Sequence, residues 1–173
     1  MLVAGLISGQ AMAQTTATAD TLASVLKPLA LTKASDLNFG VLLATTGTVT
    51  ISAADGTRTG ETGTLSTVNG ASPSRASFNV TGLNASTYSI SAPALTVTLA
   101  NTASATDTLL ITLTGVHSLS SNSTSAPGAA STGTLSANGT DTLGVGGSIT
   151  LAAITPVGNY TNMAGISITV NYN

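Results

Sequence analysis

The chain has 173 residues and carries little charge, with four basic and six acidic side chains and a net charge of −2. No basic stripe is present to hold phosphates, so nucleic acid is not expected as a partner. Cysteine and tryptophan are absent, which excludes zinc thiolate sites, iron–sulfur clusters and thiol catalysis and argues against a stacking platform for sugars or bases.

The remaining composition is that of a neutral, extracellular β-protein. Serine and threonine are more frequent than in ordinary soluble domains, and the long helix formers Glu, Lys, Gln and Arg are rare. Low-complexity disorder is the alternative, but apolar residues recur with a period of two, as they do in strands. The length suits one domain with an extension.

The N-terminus resembles the remains of an export signal. Met1 to Ile7 is apolar, and Ala11-Met12-Ala13 fits the small-x-small cleavage pattern ahead of Gln14. We therefore expect residues 1–13 to be a truncated signal peptide and the protein to be secreted. The alternative is a hydrophobic N-terminus that the mature chain keeps. The apolar run is too short for a membrane-spanning helix, so no span is expected in the mature chain.

Residues 14–27 form a small, polar segment that we interpret as an N-terminal extension. Ala17, Ala19, Thr21, Ala23 and Val25 alternate with Thr16, Thr18, Asp20, Leu22 and Ser24, which is compatible with a strand that has one face of small residues. A flexible leader is the alternative. Residues 28–173 are then the β-domain.

Short alternating segments separated by turns follow Pro28. The predicted strands are Leu29 to Lys33, Ala34 to Leu43 with a kink near Ser35, Thr48 to Ser52, a return strand from Arg58, Thr64 to Val68, Ala76 to Thr81, Tyr88 to Ser91, Leu95 to Leu99, Asp107 to Gly115, Gly133 to Ala137, Thr140 to Val145, Ser148 to Ala152 and Gly165 to Asn173. Turns are expected at Asp55-Gly56, Asn138-Gly139 and Gly146-Gly147. His117 to Thr132 is rich in Ser, Asn, Pro and Gly and is predicted to be a long surface loop.

The last nine residues form the clearest strand pattern. Ile166, Ile168, Val170 and Tyr172 share one face, and polar residues share the other. A strand of this kind must pair with an earlier segment or with another molecule. Strands at this spacing, with no fixed repeat period, predict an all-β antiparallel sandwich or barrel.

No residue pattern indicates an enzyme. His117 has no carboxylate or cysteine near it in the sequence, and Asp55 and Glu61 are interpreted as solvated turn residues. Asp36, Asp107 and Asp141 do not form a calcium loop. We therefore expect no catalytic residue, no cofactor and no metal.

Three segments together resemble a known family. They are the leader running into Lys27-Pro28-Leu29-Ala30-Leu31-Thr32-Lys33, the element Asp36-Leu37-Asn38-Phe39-Gly40, and the ending from Gly158-Asn159-Tyr160 to Asn173. The chain resembles secreted bacterial pilin-like domains of uncharacterised function, which are similar to spore-coat-U-type domains and archaic chaperone–usher pilins. The cysteine pair that many chaperone–usher pilins carry is absent here.

The resemblance implies an incomplete immunoglobulin-like sandwich, completed by the N-terminal extension of a neighbour in donor-strand complementation. The donor residues would be Ala17, Ala19, Ala23 and Val25. The acceptor groove would be lined by Leu29, Leu31, Leu37, Phe39, Ile166, Ile168, Val170 and Tyr172. The implied partners are identical subunits in a head-to-tail filament, with a periplasmic chaperone and an outer-membrane usher. The implied function is a fimbrial subunit for adhesion or biofilm formation.

Two other interpretations stay open. In the first, the protein is a monomeric secreted adhesin or binding module whose leader closes its own domain, although the short link containing Pro28 favours donation to a neighbour. In the second, it binds ice, as the Thr-x-Thr patterns at Thr48 to Thr50 and Thr96 to Thr98 suggest. Such patterns are also those of ordinary exposed strand faces, because threonine is a good strand former.

Overall fold

The computed structural model describes residues 15–43, 45–60, 62, 72–91, 94–163 and 165–173. The strands are, in chain order, β1 (Ala30–Ser35), β2 (Gly47–Ile51), β3 (Arg58–Thr59), β4 (Ala76–Thr81), β5 (Thr87–Ile90), β6 (Thr96–Asn101), β7 (Thr108–Ser118), β8 (Ser123–Ser125), β9 (Ser131–Thr134), β10 (Thr140–Leu151), β11 (Tyr160–Thr161) and β12 (Val170–Tyr172). The described residues contain no helix. The protein is all-β, and its strand pairings are antiparallel.

Some predicted features lie outside the described residues. They are the signal remnant at residues 1–13, Glu61 and the strand from Thr64 to Val68.

The larger sheet is built around the two longest strands, β7 and β10. One edge of β10 pairs with β7, while its other edge pairs first with β4 and then with β2. The second edge of β7 is likewise shared by β6 and β8. The sheet therefore has two halves: a first half-sheet of β1, β4, β8 and the adjoining ends of β7 and β10, and a second half-sheet of β2, β3, β6, β11 and the opposite ends.

The two halves meet at a β-bulge between β7 and β10, where Thr114 of β7 is the extra residue. The pairing with β7 changes register between Gly146 and Gly147. Here the prediction of a turn between two separate strands was wrong, because the two glycines lie within one continuous strand. A side chain at Gly146 would collide with the carbonyl oxygen of Ile51 and the amide of Ala53. Glycine is needed here because two backbones approach closely. Close approach of another backbone, like a turn, is a common reason for glycine.

A smaller sheet of β12, β5 and β9 completes the fold. One apolar cluster contains residues of both sheets. Its largest fully buried side chains are Tyr88, Ile51, Ile111, Leu113, Leu143, Val49, Val80 and Val145. Most of these residues occupy the inward positions that the alternating sequence pattern predicts.

The predicted loop from His117 to Thr132 was also wrong. His117 and Ser118 belong to the end of β7, and β8 and the start of β9 lie within the same stretch. His117 is only 5% exposed, and its Nδ1 lies 2.7 Å from the hydroxyl of Thr124 on β8. Serine and threonine are common in loops, but here they form short strands along the edges of longer ones.

Candidate functional site

β1 and β12 each have one edge that pairs with no other strand of the described chain. β1 pairs only with β4, and β12 pairs only with β5, among the strands of the described chain. The edges meet at one end, where the hydroxyl of Tyr172 donates a hydrogen bond of 2.9 Å to the carbonyl oxygen of Lys27. The same hydroxyl accepts a bond of 2.7 Å from the amide of Leu83. Tyr172 thus closes one end of a groove between β1 and the C-terminal segment.

The groove opens at its other end into a cavity of about 440 Å³. Its apolar wall is formed by Leu37, Phe39, Ala76, Phe78, Val97, Leu99, Ile111 and Ile166. The rim is polar and includes Lys33 and Asp36, which form an exposed ion pair of 2.8 Å. An apolar cavity with a polar rim is a place where an apolar side chain can be buried.

The element from Asp36 to Gly40 holds one wall of this cavity in place. The backbone amide of Asn38 donates to the carbonyl of Ser74 at 2.8 Å, and the amide of Ser74 donates to the carbonyl of Asn38 at 2.9 Å. The side-chain oxygen of Asn38 accepts a bond of 2.8 Å from the amide of Gly40, which has a φ of 79°. These bonds fix a tight turn that a residue without a Cβ adopts at low cost. Phe39, between them, is only 8% exposed.

The eight predicted acceptor residues all have inward positions. Phe39 and Ile168 are buried, and the other six are partly buried and pack against the core: Leu29, Leu31, Leu37, Ile166, Val170 and Tyr172. The alternation of burial holds along residues 166–173, although the strand itself covers only Val170–Tyr172. The backbone continues the pairing by one residue, because the amide of Ser91 donates to the carbonyl of Thr169 at 2.9 Å.

The N-terminal arm, residues 15–28, lies outside the groove. It is extended, belongs to no strand, and every one of its residues is exposed. The predicted donor residues Ala17, Ala19, Ala23 and Val25 are among them, so the structure does not bring donor and acceptor residues of one chain together. Leu22 and Val25 are more than nine-tenths exposed. Large apolar side chains with this exposure are unfavourable in water unless they are covered.

A buried polar cluster lies behind the groove, and the sequence pattern did not indicate it. Asp141 on β10 is only 5% exposed. Its Oδ2 accepts bonds from the hydroxyls of Tyr88 and Ser118 at 2.5 and 2.6 Å. Its Oδ1 accepts bonds from the amides of Ser120 and Thr142 at 2.8 and 2.7 Å. Burial, and then the bond to Asp141 and its negative charge, raise the pKa of the Tyr88 phenol well above its ordinary value. All four bonds serve the carboxylate, so the cluster is structural.

The described residues do not assemble an evident reactive centre. No group of three or more His, Cys, Asp or Glu side chains in the described ranges could hold a metal ion. Asp55 caps its turn by accepting bonds from the amide and hydroxyl of Thr57 at 3.0 and 2.8 Å. Hydrogen bonds from Ser52 and Thr57 lower the pKa of the Asp55 carboxyl to about 2. Within the described part of the chain, no helix is long and apolar enough to cross a membrane.

Comparison with known proteins identifies the family of the domain. Residues 29–172 match the model of a domain of unknown function, DUF4402. The chain therefore belongs to the DUF4402 family. No curated protein and no solved structure matches the chain.

Proposed function

We propose that this protein is a structural subunit of an extracellular bacterial fibre, in which the arm of one copy completes the β-sheet of the next by donor-strand complementation. The observation that supports it best is the coexistence, in one chain, of an exposed arm that carries Leu22, Val25 and Leu26 and of an apolar groove. The completed unit would be an immunoglobulin-like sandwich. The proposal places the protein at the cell surface, in a role in adhesion or biofilm formation.

The groove offers what an added strand requires. A strand edge presents a row of backbone amides and carbonyls that can pair with another chain. β1 and β12 present two such edges on opposite sides of the groove, so one inserted strand could pair with both. Apolar side chains of that strand would cover partly buried groove residues such as Leu37 and Ile166. Each Å² of apolar surface removed from water would stabilise the complex by roughly 25 cal/mol.

The arm has the properties of a donor. It is extended, and its charged residues are limited to Asp20 and Lys27. Pro28 joins it to the domain by a short link, and proline restricts the conformations through which the arm could turn back. A contact in which the arm of one copy enters the groove of another uses two different surfaces. Such a contact is heterologous, and it gives an open filament unless the rotation closes a ring. A periplasmic chaperone and an outer-membrane usher would serve this assembly.

A self-complemented monomer, acting as a secreted adhesin or binding module, is the second candidate. The observation in its favour is the hydrogen bond from Tyr172 to the carbonyl of Lys27, which places the root of the arm at the closed end of its own groove. An arm that reversed direction at Pro28 would make the contacts without joining two molecules.

Disulfide trapping distinguishes the fibre subunit from the self-complemented monomer. Introduced cysteines have no competing partner, because the natural chain has no cysteine. Ala23→Cys in the arm and Val170→Cys at the groove edge are prepared as two separate variants, mixed under assembly conditions and oxidised. The expected result is a disulfide-linked heterodimer, since a bond forms only when the Cα atoms approach to within about 7 Å. The matched control replaces Val170→Cys by Thr134→Cys, an exposed site on β9, and should give only background cross-linking.

The variant with both cysteines in one chain completes the experiment. A ladder of linked subunits is expected. A monomer with an internal disulfide would show that the arm closes its own domain, and would replace the fibre by the monomeric module. Failure of both forms to link above the control would show that residues 15–28 do not occupy the groove.

A further inference from the structure

The outer surface of the second half-sheet carries threonine and serine in register on five strands. Residues paired across an antiparallel sheet point to the same face. One row of paired residues crosses β6, β7, β10, β2 and β3: Thr96, Thr112, Ser148, Thr50 and Thr59. The Thr-x-Thr patterns of β2 and β6, separate in the sequence, thus lie on one surface.

Neighbouring rows continue this face. Thr98 pairs with Leu110, Thr150 with Thr48, and Ala100 with Thr108. Together with the first row this makes eleven outward residues, of which all except Leu110 and Ala100 carry a hydroxyl. None of these eleven residues is charged or aromatic. We call this surface the hydroxyl face.

Packing and hydrogen bonds hold the hydroxyl face in a fixed arrangement. The opposite face of the same strands is the core, where Val49, Ile111 and Ile149 are at most 3% exposed. On the hydroxyl face, the side-chain oxygens of Thr48 and Thr150 are 2.9 Å apart, and the hydroxyl of Thr50 donates to that of Ser148 at 3.2 Å. In a regular sheet such groups repeat about every 5 Å across the strands and about every 7 Å along them. Here Thr108, Leu110, Thr112, Ser148 and Thr150 line a concavity of about 390 Å³.

We propose that the hydroxyl face binds ice. An ice surface is a neutral, regular lattice of oxygen atoms that donate and accept hydrogen bonds, and a hydroxyl can do both. The face matches it in carrying no charge and in repeating hydroxyl groups in two directions, at every position except Leu110 and Ala100. Threonine also supplies a methyl group beside each hydroxyl, so water over the face meets a regular pattern of apolar and polar groups. The absence of aromatic side chains argues against a neutral polysaccharide, which is commonly bound by stacking.

The proposal does not depend on fibre formation, since the face lies on β2, β3, β6, β7 and β10 and leaves out β1 and β12, which border the groove. A fibre would nevertheless repeat the face many times, and binding would then gain from multivalency.

Two measurements on the full-length secreted protein test the proposal: partition into slowly growing ice and inhibition of ice recrystallisation. The natural protein is expected to enter the ice. Thr112→Tyr and Thr150→Tyr place a bulky ring within the lattice and should reduce partition to the level of an inert protein of similar size. The matched control, Thr134→Tyr, changes an exposed threonine of β9 on the smaller sheet and should leave partition unchanged. The thermal midpoint of each variant checks that it is folded.

Two conservative substitutions at Thr112 test whether binding needs both the hydroxyl and the methyl group or only a polar side chain. Thr112→Ser keeps the hydroxyl and Thr112→Val keeps the shape, and each should lose part of the activity. Exclusion of the natural protein from ice would overturn the proposal, and so would full activity of both tyrosine variants. Capture on insoluble cellulose together with exclusion from ice would assign the face to a neutral glycan instead.

Discussion

The phenol of Tyr88 is bonded to the buried carboxylate of Asp141, and this contact joins β5 of the smaller sheet to β10 of the larger one. Tyr88 is fully buried. A buried carboxylate is stable in a protein only when its oxygens are satisfied by hydrogen bonds. The pair therefore fixes how the smaller sheet, which carries β12 and one edge of the groove, sits against the rest of the domain.

Removing the phenol should destabilise the protein more than removing an exposed one. Tyr88→Phe leaves one bond of the buried Asp141 unmade, and we expect a loss of about 1–3 kcal/mol in the free energy of unfolding. Tyr160→Phe is the matched control, because its hydroxyl bonds only to the carbonyl of Pro156 at an exposed site. It should change stability by less than about 0.5 kcal/mol. Urea denaturation measures both, and equal effects would contradict the role of the Tyr88–Asp141 bond.

The same pair predicts a loss of stability at alkaline pH. The folded protein holds the Tyr88 proton more tightly than the unfolded chain, whose tyrosines titrate near the ordinary pKa of 10.0. This contribution is therefore fully present below pH 10 and is lost as the pH rises toward the pKa of the folded state. The free energy of unfolding should fall with a slope of up to about 1.4 kcal/mol per pH unit from this one proton. Tyr88→Phe should lack that part of the slope, and an identical slope in the two proteins would refute the assignment.

Alanine at Gly146 of β10, opposite the bulge in β7, should be poorly tolerated. The Cβ of Gly146→Ala would meet backbone atoms of Ile51 and Ala53, which cannot move aside as a flexible side chain can. We expect a loss of about 1–3 kcal/mol in the free energy of unfolding. Gly128→Ala is the comparison, because its φ is 73° but its Cβ would meet nothing within 4 Å. That variant measures the cost of backbone strain alone. A smaller loss at Gly146 than at Gly128 would show that the bulge can open to admit a methyl group.

Deletion of Gln14 to Val25 should abolish polymerisation and leave an unstable or chaperone-dependent monomer, because the groove then has no strand to fill it. Electron microscopy of the protein shows whether filaments form. A finer pair of variants places a charge on either face of the arm: Val25→Asp on the predicted donor face and Ser24→Asp on the opposite face. Only Val25→Asp should block assembly, since a buried unpaired charge is costly. Filaments made by the deletion variant would exclude the arm as the donor.

The alternating sequence pattern was sufficient to predict an all-β chain and several of its strands. It correctly placed β2, β4, β6 and most of β7, with Val49 and Val80 directed inward, because a half-buried strand repeats with a period of two whatever it pairs with. It also placed the residues of the groove on inward positions. These predictions need only local information.

The errors arose where pairing decides structure. Gly146-Gly147 has the composition of a turn, and only the pairing with β2 on one side and β7 on the other keeps it within one strand. His117 has serine-rich neighbours, yet β8 returns along β7 and covers it. The carboxylate of Asp141 accepts hydrogen bonds from residues up to 53 positions away, and this clustering leaves no signal in a single sequence. Such contacts depend on which strands meet, which periodicity does not specify.

The position of β10 along the chain has a consequence for how the protein is made. β10 pairs with β2, β4 and β7, all of which are synthesised before it. Until the ribosome has passed Leu151, β2 and β4 have no central partner, and their apolar faces have little to pack against. Contacts this distant in sequence form slowly, and unpaired strands aggregate in the meantime. The nascent chain therefore passes through a long interval in which these strands lack their main partner and are open to aggregation.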